Sequence, residues 1–135
     1  FSRGVSSETR SVYFKKNGQA KRMRSYYVMQ QFVNGISGHG MYYIPCSGIG
    51  TTPKIYTMAF SNDKDLFIVL VSKDNMAKQK VSLVFPKDVS IETVKRCVFE
   101  KSLPIQGIKD EIKRTDASVV FELPAESITF LSFKL

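Results

Sequence analysis

The chain has 135 residues, 43% hydrophobic and 24% charged, with a formal net charge of +8. That length holds one ordinary domain, or one domain and a remnant of another, and that balance excludes the disordered and membrane-embedded classes. The longest uninterrupted apolar run, Leu66–Val71, is too short to cross a bilayer as a helix.

From the N-terminus, Phe1-Ser2-Arg3-Gly4-Val5 shows no charged region leading into an apolar one, so no signal peptide is expected there. Residues 1 to 20 are polar, with a short β-like piece at Ser11–Phe14 that ends in the turn signal Lys16-Asn17-Gly18. Lys21–Ile36 carries the one convincing helical pattern, with Met29, Phe32, Val33 and Ile36 at helical spacing and Met23, Tyr26 and Tyr27 extending the apolar side. Asn34-Gly35 and Ser37-Gly38-His39-Gly40 supply the stop. From Met41 onward the pattern is β throughout. The expected strands are Met41–Cys46, Lys54–Phe60, Leu66–Ser72, Gln79–Phe85, Thr93–Glu100, Ser118–Leu123 and Ser127–Leu135, separated by turn-rich stretches. Leu66–Val71 has no polar partners in its alternation and reads as a central strand buried on both faces. Val119, Phe121 and Leu123 point one way, opposite Glu122. The fold class is mainly β: an antiparallel β-sandwich of about seven to eight strands with one N-terminal helix.

For chemistry, the sequence is sparse. The single histidine, His39, sits in a Gly-rich turn, which leaves a zinc site or a nucleophilic triad without support. Ser47–Thr52 lacks the Lys-Ser/Thr ending of a phosphate loop. Glu92, Glu100, Glu111, Glu122 and Glu126 are acids by residue type only, in charged or turn contexts, so no catalytic residue and no cofactor are assigned. The basic cluster Lys15-Lys16, Lys21-Arg22 and Arg24 invites a nucleic-acid reading, but the other basic residues are scattered, and a solvated, positively biased surface is expected. Sugar platforms use flat aromatics; with no Trp present, Tyr42, Tyr43 and Tyr56 are the candidate contacts. Cys46 and Cys97 neither demand nor exclude a bridge, and buried free thiols are expected.

Two segments carry a resemblance. In Asn17–Phe32 a glycine turn and basic residues lead to Tyr26-Tyr27, with Gln31-Phe32 four residues further on. This resembles the last barrel helix of clan A (β/α)8 glycoside hydrolases. Leu123-Pro124-Ala125-Glu126-Ser127-Ile128-Thr129 is similar to the final strand of their β-sandwich, and Leu66–Asp74 to an inner one, with Ser72 where Asn is usual. Family 30 is the nearest, and families 5, 39 and 51 end similarly.

The resemblance implies that residues 1–38 are the end of a catalytic barrel and 39–135 a C-terminal β-sandwich. It implies a retaining hydrolase whose two catalytic glutamates lie upstream, an extracytoplasmic location, and the barrel of the same parent chain as partner. On that view the helix has more apolar surface than one sheet can cover. Tyr27 and Phe32 then mark a face for the barrel or for a second copy of the chain. An independent carbohydrate-binding module, contacting polysaccharide, is the alternative, and a basic nucleic-acid-binding β-domain a third reading.

Overall fold

The structure, a computed structural model, describes residues 13–16, 19–46, 54–74, 77–85, 93–113 and 118–135. A hairpin of β1 (Tyr13–Lys16) and β2 (Gln19–Arg22) leads into helix α1 (Arg24–Ile36). The strands that follow are β3 (Tyr42–Ile44), β4 (Ile55–Ser61), β5 (Asp65–Ser72), β6 (Gln79–Val84), β7 (Thr93–Phe99), β8 (Ile108–Lys113), β9 (Ser118–Leu123) and β10 (Ser127–Lys134). Six of them form one antiparallel sheet in the order β3-β4-β5-β10-β7-β8, and β6 pairs with β9 in a two-stranded ribbon.

Strand β5 organises the molecule, because its apolar run supplies side chains to both faces of the sheet. Ile68 and Leu70 join Val94, Leu131 and Phe133 beneath the ribbon, whose Val119, Phe121 and Leu123 point inward and are all buried. Phe67 and Val69 join Cys97, Phe99 and Phe130 on the opposite face, where Tyr27, Val28, Phe32 and Ile36 of α1 pack. The layers are therefore helix, sheet and ribbon, with two hydrophobic clusters back to back. Burying side chains such as Leu70, Leu131 and Phe133 contributes about 1.5–3 kcal/mol each.

The mainly β sandwich stands, with more strands than the pattern indicates. β8 escapes the sequence because Ile108-Lys109-Asp110-Glu111-Ile112-Lys113 is dominated by charge, as edge strands often are. The helix begins at Arg24, since Lys21 and Arg22 belong to β2. The Lys16-Asn17-Gly18 turn signal falls partly, and Ser47–Thr52 and Glu92 fall wholly, outside the described residues.

Helix α1 starts without a capping side chain at Met23. The Arg24 guanidinium donates to the carbonyls of Lys101 and Leu103 at 3.2 Å each, tying the helix to the β7–β8 turn. The far end closes with the Ser37 amide donating to Val33, after which Gly38 and Gly40 adopt positive φ. The Asn62 side-chain amide donates to the His39 carbonyl at 2.6 Å and pins this turn to the β4–β5 turn.

Candidate functional site

The glutamates lie apart. The Glu100 carboxylate accepts hydrogen bonds from the Ser102 hydroxyl and backbone amide at 2.5 and 3.1 Å, which hold its carboxyl below the usual range. Glu122 lies opposite Lys80 on the outer face of the ribbon, Glu111 opposite Lys95 on the large sheet, and Glu126 in the β9–β10 turn with φ 47°. His39 places Nε2 3.1 Å from the Asn34 carbonyl. Among the described residues, no group of three or more His, Cys, Asp or Glu could hold a metal.

Sheet register separates the three tyrosines. Tyr43 pairs with Phe60 and Tyr56 with Val71, both of which pack in the helix-side cluster. Tyr42, one residue from Tyr43, projects to the opposite face. All three are exposed, but they form no single platform. The ammonium of Lys73 stands 5.4 Å from the centre of the Tyr56 ring, and Tyr43 meets Phe60 edge-on at 5.7 Å. Two members of the basic cluster are likewise engaged within the chain: Arg24 on the turn carbonyls, and Arg22 over the Tyr26 ring at 4.5 Å.

Tyr27 and Phe32 are half-buried. Both pack on the chain's own sheet, Phe32 edge-on to Phe60 and Phe67 at 6.0 and 6.5 Å. The apolar residues that α1 leaves exposed are Met29 and Val33, at 43% and 48%. The periodicity identified the apolar stripe correctly but not which part of it the sheet would take.

Helix α1 covers only the middle of the sheet and divides this face into two flanks. Arg24 and Gln31 face the β7–β8 side. Met29 and Val33 lie two positions from Gln31 in either direction, about 200° around a helix of roughly 3.6 residues per turn, and so face the β4 side. On that side Tyr43, Tyr56 and Met58, which register places on the same face of the sheet, are exposed too. This first flank is an apolar trough. The second is a polar cleft of about 390 Å³ lined by Gln31, Phe130, Ser132 and Cys97, the bases Lys95, Arg96 and Lys109, and the acids Asp110 and Glu111. Burial pushes the Cys97 thiol up at its floor, with Lys109 opposing the shift. Lys95 and Lys109 were not singled out in the sequence; alternation along Thr93–Phe99 puts Lys95 beside Cys97 and Phe99, but nothing local marks that face as a cleft. Of the two thiols, Cys97 is buried as expected and Cys46, just past the edge strand β3, is exposed; both are free.

The fold and this divided face define a helix-backed antiparallel β-sandwich domain. No family model and no curated protein matches the chain. Solved structures share the fold. A glycoside hydrolase family 30 subfamily 8 xylanase from Clostridium acetobutylicum superimposes with a TM-score of 0.76 at 18% identity, over 97% of this chain and 32% of that one. A family 30 endoxylanase from Clostridium papyrosolvens gives 0.70 at 23% identity, over 83% of this chain and 28% of that one. The catalytic domain of a family 30 xylanase from Talaromyces cellulolyticus gives 0.75 at 14% identity, over 93% and 27%. The chain therefore spans under a third of the length of each of these relatives.

Proposed function

We propose that this chain is the non-catalytic accessory β-sandwich of a glycoside hydrolase, seated against the catalytic barrel of a retaining glycosidase and stabilising it. The observation that carries the reading is the half-covered helix. α1 has no buried residue, although its inner stripe is docked on the sheet, and Met29 and Val33 are exposed on the side where Tyr43, Tyr56 and Met58 of the sheet are exposed as well. A partner on this side would remove that surface from water, and the fold is shared by chains three times longer that carry hydrolase activity. Residues 1–38 would then be the end of the barrel and 39–135 the accessory domain. The parent enzyme would work outside the cytoplasm. The separation of Tyr42 from Tyr43 and Tyr56 favours this role over an independent sugar-binding module.

The test is to produce the parent enzyme with and without this chain, and to supply the chain in trans. The truncated barrel should melt at a lower temperature and recover on addition of the chain. Val33→Asp or Met58→Asp should abolish that recovery while the sandwich itself stays folded. A barrel that is equally stable and active alone, and that does not bind the chain, would sink the proposal.

A further inference from the structure

The polar cleft has a property that the apolar trough does not explain. Strands β7 and β8 oppose two pairs of charged residues in register, Arg96 with Asp110 and Lys95 with Glu111. On the ribbon side Arg96 and Asp110 close a two-pronged ion pair, with Nε donating to Oδ1 at 2.8 Å and the second prong to Oδ2. On the helix side no ion pair forms between Lys95 and Glu111, although they stand directly opposite; their side chains border the cleft instead. Lys109 lies one register step away, opposite Cys97, and is likewise without an ion-pair partner among the described residues. The cleft thus gathers two ammonium groups, the Ser132 position across from Lys95 and the Gln31 position on the helix against the Glu111 carboxylate, while Arg96 and Asp110, which also line it, neutralise each other. Its floor is apolar, formed at Phe130 and Cys97. A cleft so furnished is one positive charge in excess and is suited to a carboxylate flanked by a hydroxyl and an amide.

We infer that this cleft receives an acidic side chain of the catalytic barrel, so that the domain docks through two unlike contacts, an apolar trough on one flank of α1 and a lysine-bounded carboxylate socket on the other. The inference rests on the accessory-domain reading and adds the partner's chemistry to it. A charged socket beside an apolar trough fixes the register of docking, because a shifted partner would leave its carboxylate desolvated and unpaired.

A zero-length carbodiimide cross-link on the full-length parent, read by peptide mass spectrometry, tests it. The expected product joins Lys95 or Lys109 to an Asp or Glu encoded upstream of this chain. The double variant Lys95→Gln/Lys109→Gln should lower the parent's melting temperature by a few degrees while leaving that of the 135-residue chain unchanged. The difference should fade in 1 M NaCl, where the screening length falls to about 3 Å. Cross-links confined to Glu111, or a double variant that shifts neither melt or both equally, would overturn the inference while leaving the packing itself intact. Saturable acetate binding at Lys95 and Lys109 of the 135-residue chain would overturn it in favour of a free carboxylate ligand. Absence of any cross-link between the two domains, with independent melting of each, would instead remove the accessory-domain reading on which it stands.

Discussion

Gly35 of α1 lies so close on Phe67 of β5 that a Cβ at position 35 would fall 2.3 Å from the phenyl ring. Phe67 is itself buried, at 3% exposure, and stacks on Phe130 with ring centres 5.8 Å apart, so it cannot swing aside freely. The missing side chain is what lets the helix settle on the sheet.

Gly35→Ala therefore sets two effects against each other. Helix propensity favours Ala by about 1 kcal/mol, whereas overpacking a tight contact costs about 1–3 kcal/mol. Packing should win, with a net loss of up to about 2 kcal/mol in urea unfolding. Adding Phe67→Leu should return part of it. A single variant more stable than the parent sequence would show that the helix sits further from the sheet.

Thr129 and Ser127, two residues apart on β10, should respond in opposite ways. Both are buried, at 0% and 2%, but the Ser127 hydroxyl donates to the Pro124 carbonyl at 2.7 Å while the Thr129 hydroxyl has no partner among the described residues. Ser127→Ala should cost about 1–2 kcal/mol, and Thr129→Val should be neutral or stabilising by up to about 1 kcal/mol. Thermal melting of the two variants checks the contrast; an ordered water on Thr129 would reveal itself as a loss in the second.

The Arg96–Asp110 pair gives a pH dependence with a definite sign. The guanidinium, first by hydrogen bonding and then by its charge, holds the Asp110 carboxyl below its ordinary value. A carboxylate depressed in the folded state stabilises fully above its unfolded pKa, about 3.9, and loses that contribution as pH falls through the lower folded value. Urea unfolding between pH 2 and 6 should show an acid limb that is shallower in Asp110→Asn. Because both side chains are partly exposed, the effect should be small and weakened by salt.

The two thiols should label at different rates. Cys46 is exposed and Cys97 is 5% exposed; burial raises the pKa of both, so both are slow nucleophiles at neutral pH. Maleimide should add once to the native protein, at Cys46, and a second time only in denaturant. Two additions without denaturant would mean that the sheet opens near β7.

Much of this molecule was legible in local patterns. An apolar run without alternation can only be a strand covered on both faces, and Leu66–Val71 became β5, between β4 and β10. Strict alternation in Val119, Phe121 and Leu123 gave a strand with one buried face, and the apolar spacing over 21–36 marked the helix α1. β8 was lost because an edge strand needs few apolar residues, and charge along Ile108–Lys113 masks its period. A period states which residues of an element share a side; it does not state what lies on that side. That Tyr27 and Phe32 turn inward while Met29 and Val33 stay outside follows from where α1 crosses the sheet. That Tyr42 parts from Tyr43 and Tyr56, and that Lys95 and Lys109 border one cleft, follows from pairing between strands distant in the chain. Those contacts are non-local, and only the assembled sheet decides them.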